Sequence, residues 1–150
     1  MRRVFASLLL IFVAATSPLF ACTSLLAGRN ATSDGSTFIT YAADSHTLYG
    51  ELYFWPAATY PKGTMLKITE WDTGKPLGEI EQVEKTYAVV GNMNEYQLAI
   101  SETTWGGRSE LVDTTAIMDY GSLIYVTLQR AKTAREAITV MTDLVKKYGY

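Results

Sequence analysis

The chain has 150 residues, with 13 Lys and Arg against 15 Asp and Glu, a formal net charge of -2 and 48% hydrophobic residues. No basic excess is available to hold phosphates, which argues against nucleic acid as a partner. One cysteine cannot close an intramolecular disulfide, and one histidine offers little to metal binding or to a histidine-based mechanism.

Taken in chain order, residues 1–21 have the three parts of a secretory signal peptide: Arg2 and Arg3, an uncharged apolar run from Val4 to Ala15, and the break Thr16-Ser17-Pro18 before Ala21. The apolar run falls short of the roughly 20 residues a membrane span needs. Cleavage after Ala21 is expected, leaving residues 22–150 as an exported chain in a bacterial periplasm or outside the cell, with Cys22 at its amino terminus.

Cys22 to Gly28 reads as a short buried strand. Asp34-Gly35 is a turn signal, and Thr37 to Ala43 is β-rich, so the two runs are predicted to pair antiparallel and carry Asp44 back towards Cys22. Leu48 to Tyr60 is dense in aromatics, read chiefly as core packing and alternatively as a pocket wall. Pro56 within it and Pro61 just after it rule out a continuous central strand. A strand from Thr64 to Trp71, a turn at Asp72 to Pro76 and a returning strand from Glu79 to Val90 follow. Gly91 to Gln97 is a polar hinge, Leu98 to Thr104 a further short strand, and Trp105 to Arg108 a loop.

After Asp113 the apolar period lengthens to that of a helix. Asp119 or Ser122 is the expected cap of a helix presenting Leu123, Ile124, Thr127, Leu128 and Ala131. Thr133 and Glu136 have capping-box spacing. Ala134, Ala137, Ile138, Met141, Leu144, Val145 and Tyr148 then form an amphipathic stripe that stops at Gly149. Strands followed by helices point to an α+β fold.

Cys22 is the outstanding candidate for chemistry. At an amino terminus, its thiol has a reference pKa of about 8.5 and its α-amine one near 7.7 to 8.0, so the amine can take the thiol proton and return it to a leaving group. Such a site needs a carboxylate to orient the ammonium form and donors for an oxyanion. Asp44 is the carboxylate candidate, although it reads equally well as an ordinary strand-end residue. Asn94 and backbone N–H groups are the donor candidates.

Cys22-Thr23-Ser24-Leu25-Leu26-Ala27-Gly28, followed by Ser33-Asp34-Gly35-Ser36-Thr37 and Ala43-Asp44-Ser45, resembles the start of the C69 family of bacterial dipeptidases, N-terminal nucleophile hydrolases akin to penicillin V acylase and bile salt hydrolase. Gly91-Asn92-Met93-Asn94-Glu95 and Leu98 to Thr103 resemble that family's Gly-Met-Asn-Glu stretch and the strand after it. The resemblance implies an αββα sandwich, dipeptide or small-peptide cleavage through a thioester on Cys22, and neither metal nor organic cofactor. It also assigns Asp44 to holding the Cys22 amine and sets Asn94 on the substrate side. Many relatives carry arginine three residues before the aspartate. Here Tyr41 stands at that substrate-side position and cannot supply a fixed positive charge. Relatives are also longer, so residues 22–150 are expected to be the N-terminal part of the peptidase domain, inactive or poorly folded in isolation.

Leu19-Phe20-Ala21-Cys22 also resembles a lipobox. Lipidation there would acylate the Cys22 amine and make the chain a membrane-anchored binding or structural module, which is incompatible with a catalytic free amine. The fold alone is compatible with binding or amide transfer as well.

Overall fold

The computed structural model describes residues 22–43, 49–103 and 107–150. The expected signal segment, Asp44 and His46 lie outside them. The described chain is α+β, with short antiparallel strands followed by two helices, as the order of periodicities predicts.

Strands β1 (Thr23–Ala27) and β2 (Phe38–Ala42) pair antiparallel from Thr23↔Ala42 to Ala27↔Phe38, so the hairpin forms as expected. Its connection is longer than a two-residue turn. A 3₁₀ turn at Arg29–Ala31 precedes an Asx-turn in which Asp34 Oδ1 accepts from the Ser36 N–H and hydroxyl, with Gly35 at φ 74°.

The next part is one long antiparallel arm broken into pieces. β3 (Phe54–Trp55) pairs with β8 (Val89–Val90), β4 (Ala58–Thr59) with β7 (Lys85–Thr86), and β5 (Met65–Thr69) with β6 (Pro76–Glu81). The single returning strand expected from Glu79 to Val90 is therefore three strands, and the ladder begins earlier, at Pro76. Pro56 separates β3 from β4, as its missing N–H requires. The outgoing chain loops at Tyr60 to Gly63, where Thr64 N–H bonds back to Pro61 O, and the ladder resumes in a shifted register.

β9 (Met93–Asn94) returns against β8. The strand expected from Leu98 is reduced to one bridge, Met93↔Ala99. Asn94 accounts for this. Its Oδ1 accepts from the N–H of Tyr96 and of Leu98, and Gln97 takes φ 62°, so the backbone turns tightly instead of extending.

Helix α1 (Tyr120–Leu128) is capped by Asp119, whose Oδ1 accepts from Ser122 N–H at 2.9 Å. Helix α2 (Ala134–Tyr148) starts at the predicted Thr133/Glu136 capping box and ends at Gly149, φ 75°. Ala137 and Leu144 are buried on its inner face with Val140, Met141, Val145 and Tyr148 partly covered, whereas Ile138 and Ala134 face water. α1 is covered nearly all round and feeds two apolar clusters. One joins Ile68 and Ile80 to Leu123, Val126 and Leu144; the other joins Val89 and Leu98 to Leu128, Ala131 and Ala137. Each buried Val, Leu or Ile among them contributes about 1.5–3 kcal/mol of transfer free energy, and each Ala less.

The buried Asn94 fastens β9 to the end of α1. Its Nδ2 donates to Leu128 O at 2.8 Å, a carbonyl that the helix end leaves without an intrahelical partner, and to Ala131 O at 2.7 Å in the turn that follows. Asn94→Ala strands these carbonyls and the Tyr96 and Leu98 N–H groups, so a loss of about 2–4 kcal/mol is expected, read as a lower denaturation midpoint at unchanged slope.

Candidate active site

The inward residues of the hairpin set up the site. Alternation along β2 puts Ile39 and Tyr41 on its more buried side, and pairing places Tyr41 opposite Ser24, two residues from Cys22. The half-buried Cys22 has its Sγ 3.4 Å from the Tyr41 hydroxyl, and that hydroxyl lies 2.5 Å from Glu102 Oε1. Ser24 Oγ donates to Glu102 O at 3.0 Å, so the hairpin is tied to residue 102 through both backbone and side chain. A hydroxyl has one proton to donate. The shorter contact claims it for Glu102 while the thiol is neutral, and sulfur competes for it once ionised. Burial, then the bond to Cys22, then Glu102, push the Tyr41 phenol far above its ordinary value.

Tyr41 and Glu102 also line a cavity of about 670 Å³, a size typical of small-molecule sites. Its wall is aromatic. Trp55 stacks on Tyr125 at 5.0 Å and on Tyr53 at 5.6 Å, while Trp71 meets Tyr53 edge-on at 5.0 Å. The aromatic stretch read chiefly as core is thus largely a pocket wall, with Tyr49, Tyr53 and Trp55 on the cavity. Trp71 is fixed by its backbone N–H, which donates to Asp119 Oδ2 at 2.7 Å, and by Gly121, where an added Cβ would sit 2.4 Å from the indole.

The charged residues of the wall are Glu51, Asp72 and Glu102; among the described residues no Lys or Arg lines it, and none forms an ion pair with these carboxylates. Asp72 accepts from the Tyr120 hydroxyl at 2.6 Å. Burial, the Asp72 bond and nearby carboxylates including Glu102 raise the Tyr120 phenol well above its usual range. Among the described residues, no three His, Cys, Asp or Glu side chains gather as metal ligands.

Of the residues predicted from sequence, the structure brings Cys22 and Tyr41 together. Cys22 is not itself part of the cavity wall; Tyr41 joins the two. Asp44 lies outside the described residues. Asn94 is corrected from substrate-side donor to structural clamp, because both of its amide hydrogens are spent on Leu128 and Ala131 and it does not line the cavity, whereas Asn92 does. Glu102 is not among the sequence-based candidates; it follows the apolar Leu98 and Ile100 at two-residue spacing and is half-buried like its neighbour Ser101.

The family model for Peptidase family C69 matches residues 51–150. No solved structure matches the chain.

Gly121→Ala is expected to displace Trp71 and cost about 1–3 kcal/mol, with a shift in tryptophan emission and a lower denaturation midpoint. For the phenols, a folded pKa above the unfolded value means that the contribution is complete below about pH 10 and is lost as pH rises past it. Denaturation midpoints measured from pH 9 to pH 11 should therefore fall, and fall less steeply in Tyr41→Phe and Tyr120→Phe.

Proposed function

The chain belongs to peptidase family C69, and on that premise we propose that it is an exported cysteine-type dipeptidase, an N-terminal nucleophile hydrolase with the αββα sandwich of that class, in which Cys22 is the nucleophile. The observation that carries this reading is the Cys22–Tyr41–Glu102 contact at the edge of an aromatic cavity. It couples a thiol near the start of β1 to a space of substrate size.

Removal of residues 1–21 gives Cys22 a free α-amine. The neutral amine takes the Sγ proton, and the thiolate adds to the peptide carbonyl carbon. The ammonium then gives its proton to the departing amine as the C–N bond breaks, leaving a thioester. Water adds next, its proton passing to the amine; the C–S bond breaks, and the returning proton restores the thiol. Tyr41 stays protonated throughout and turns its hydrogen towards sulfur as charge builds there, the task a fixed cation would otherwise perform. Asp44 is proposed to hold the ammonium form, and backbone N–H groups the oxyanion.

Intact mass of the exported protein should give Cys22 as the first residue with an unmodified amine. An acyl chain on Cys22 would instead mark a lipid-anchored module. Cys22→Ser should lower dipeptide turnover by several orders of magnitude and Tyr41→Phe by about tenfold. Unchanged turnover in the serine variant would refute the nucleophile assignment.

A further inference from the structure

Glu102 is a half-buried carboxylate next to the nucleophile that the mechanism above uses only through Tyr41. The two hydrogen bonds put Glu102 Oε1 within about 6 Å of Cys22 Sγ. A peptide poised for attack holds its carbonyl carbon about 3–3.5 Å from sulfur. The α-nitrogen of the same residue lies about 2.5 Å from that carbon, from the bond lengths and angle at Cα. The α-nitrogen of an unblocked peptide therefore falls within about 6 Å of sulfur, the range within which the Glu102 carboxylate also stands.

Charge points the same way. Glu102 takes one neutral hydroxyl from Tyr41, and no cation pairs with it among the described residues. A covered carboxylate gains most from a cationic partner. The rest of the wall adds two more carboxylates and aromatic faces, both of which attract cations. Its negative field reaches Tyr120 and Tyr150, whose phenols Glu102 helps to raise.

We infer that Glu102 binds the α-ammonium of the substrate residue whose carbonyl is attacked, so that the cavity admits peptides with a free amino terminus and rejects N-acylated ones. The inference rests on the peptidase reading and adds to it a specificity-determining residue. An acyl cap removes the positive charge and adds bulk where Glu102 and Tyr41 stand. The same contact fixes the register of the bound peptide, since only the first carbonyl is within reach of sulfur when the ammonium is seated.

The test compares alanyl-alanine with N-acetyl-alanyl-alanine on the exported protein and on Glu102→Gln, which keeps an oxygen for Tyr41. The expected result is a preference of at least 100-fold in kcat/KM for the free dipeptide, collapsing by about 10- to 100-fold in Glu102→Gln, the loss of one charge-assisted hydrogen bond. A weakened thiol would lower both substrates together and leave the ratio unchanged, which would overturn the inference. Calorimetric binding to Cys22→Ser, alone and combined with Glu102→Gln, separates the two readings. Glu102-dependent binding of the free dipeptide without turnover in the parent protein supports the ammonium site while refuting the peptidase. Turnover with equal use of both substrates, or no preference in binding, overturns the ammonium site.

Discussion

A single carboxylate, Asp119, holds the cavity in shape. One oxygen caps α1 through Ser122 N–H and the other receives Trp71 N–H from the end of the β5–β6 ladder. A cap is worth about 1 kcal/mol to a helix, but this one also sets the angle at which helix meets sheet. Tyr120, Gly121, Ile124 and Tyr125, all on the first two turns of α1, then face Trp55 and Trp71 across the cavity. Gly121 lets the indole lie against the helix backbone, and Trp55 stacks on Tyr125 in turn. The aromatic wall is therefore a consequence of helix capping as much as of hydrophobic burial.

The Cys22 end is held differently. β1 and β2 present little apolar surface to the two clusters, and Leu25, Leu26 and Phe38 are exposed. Among the described residues, polar contacts join the hairpin to the cavity: Ser24 to the Glu102 carbonyl and Tyr41 to the Glu102 carboxylate. Residue 102 is thus anchor and electrostatic neighbour at once. Tyrosine suits this position. A cation there would pair with Glu102 and cancel the charge that the cavity presents, whereas a neutral hydroxyl leaves that charge in place.

Local features were legible in the sequence wherever a spacing specifies a geometry. The hairpin registers from its two β-rich runs, Asp119 and the Thr133/Glu136 box mark the helix starts, and Gly149 marks the stop. Membership of the C69 family was likewise readable from short motifs, although the family match lies over residues 51–150, beyond the Cys22 segment. Features set by partners distant in sequence were not legible. Nothing around Asn94 shows that its amide will find carbonyls 34 and 37 residues later. The aromatic run from Tyr49 looked like core because burial and pocket lining draw on the same residues; only the placement of α1 makes the difference. The three-part return of the ladder depends on which outgoing piece each segment meets.

The ladder's geometry also sorts the site by chain separation. Asp72 sits in the tip between β5 and β6, where Glu70 and Gly74 bond across a few residues and loop closure is least costly in entropy. The bonds that dock the thiol hairpin onto Glu102 bridge separations of 61 and 78 residues and bury little apolar area. Among the described residues neither apolar cluster includes β1 or β2, so opening of the hairpin leaves both clusters intact and belongs towards the low end of the free-energy range for sub-global unfolding. Because Tyr41 and Ala43 line the cavity, such opening removes one of its walls while the Trp55–Trp71–Tyr125 side persists.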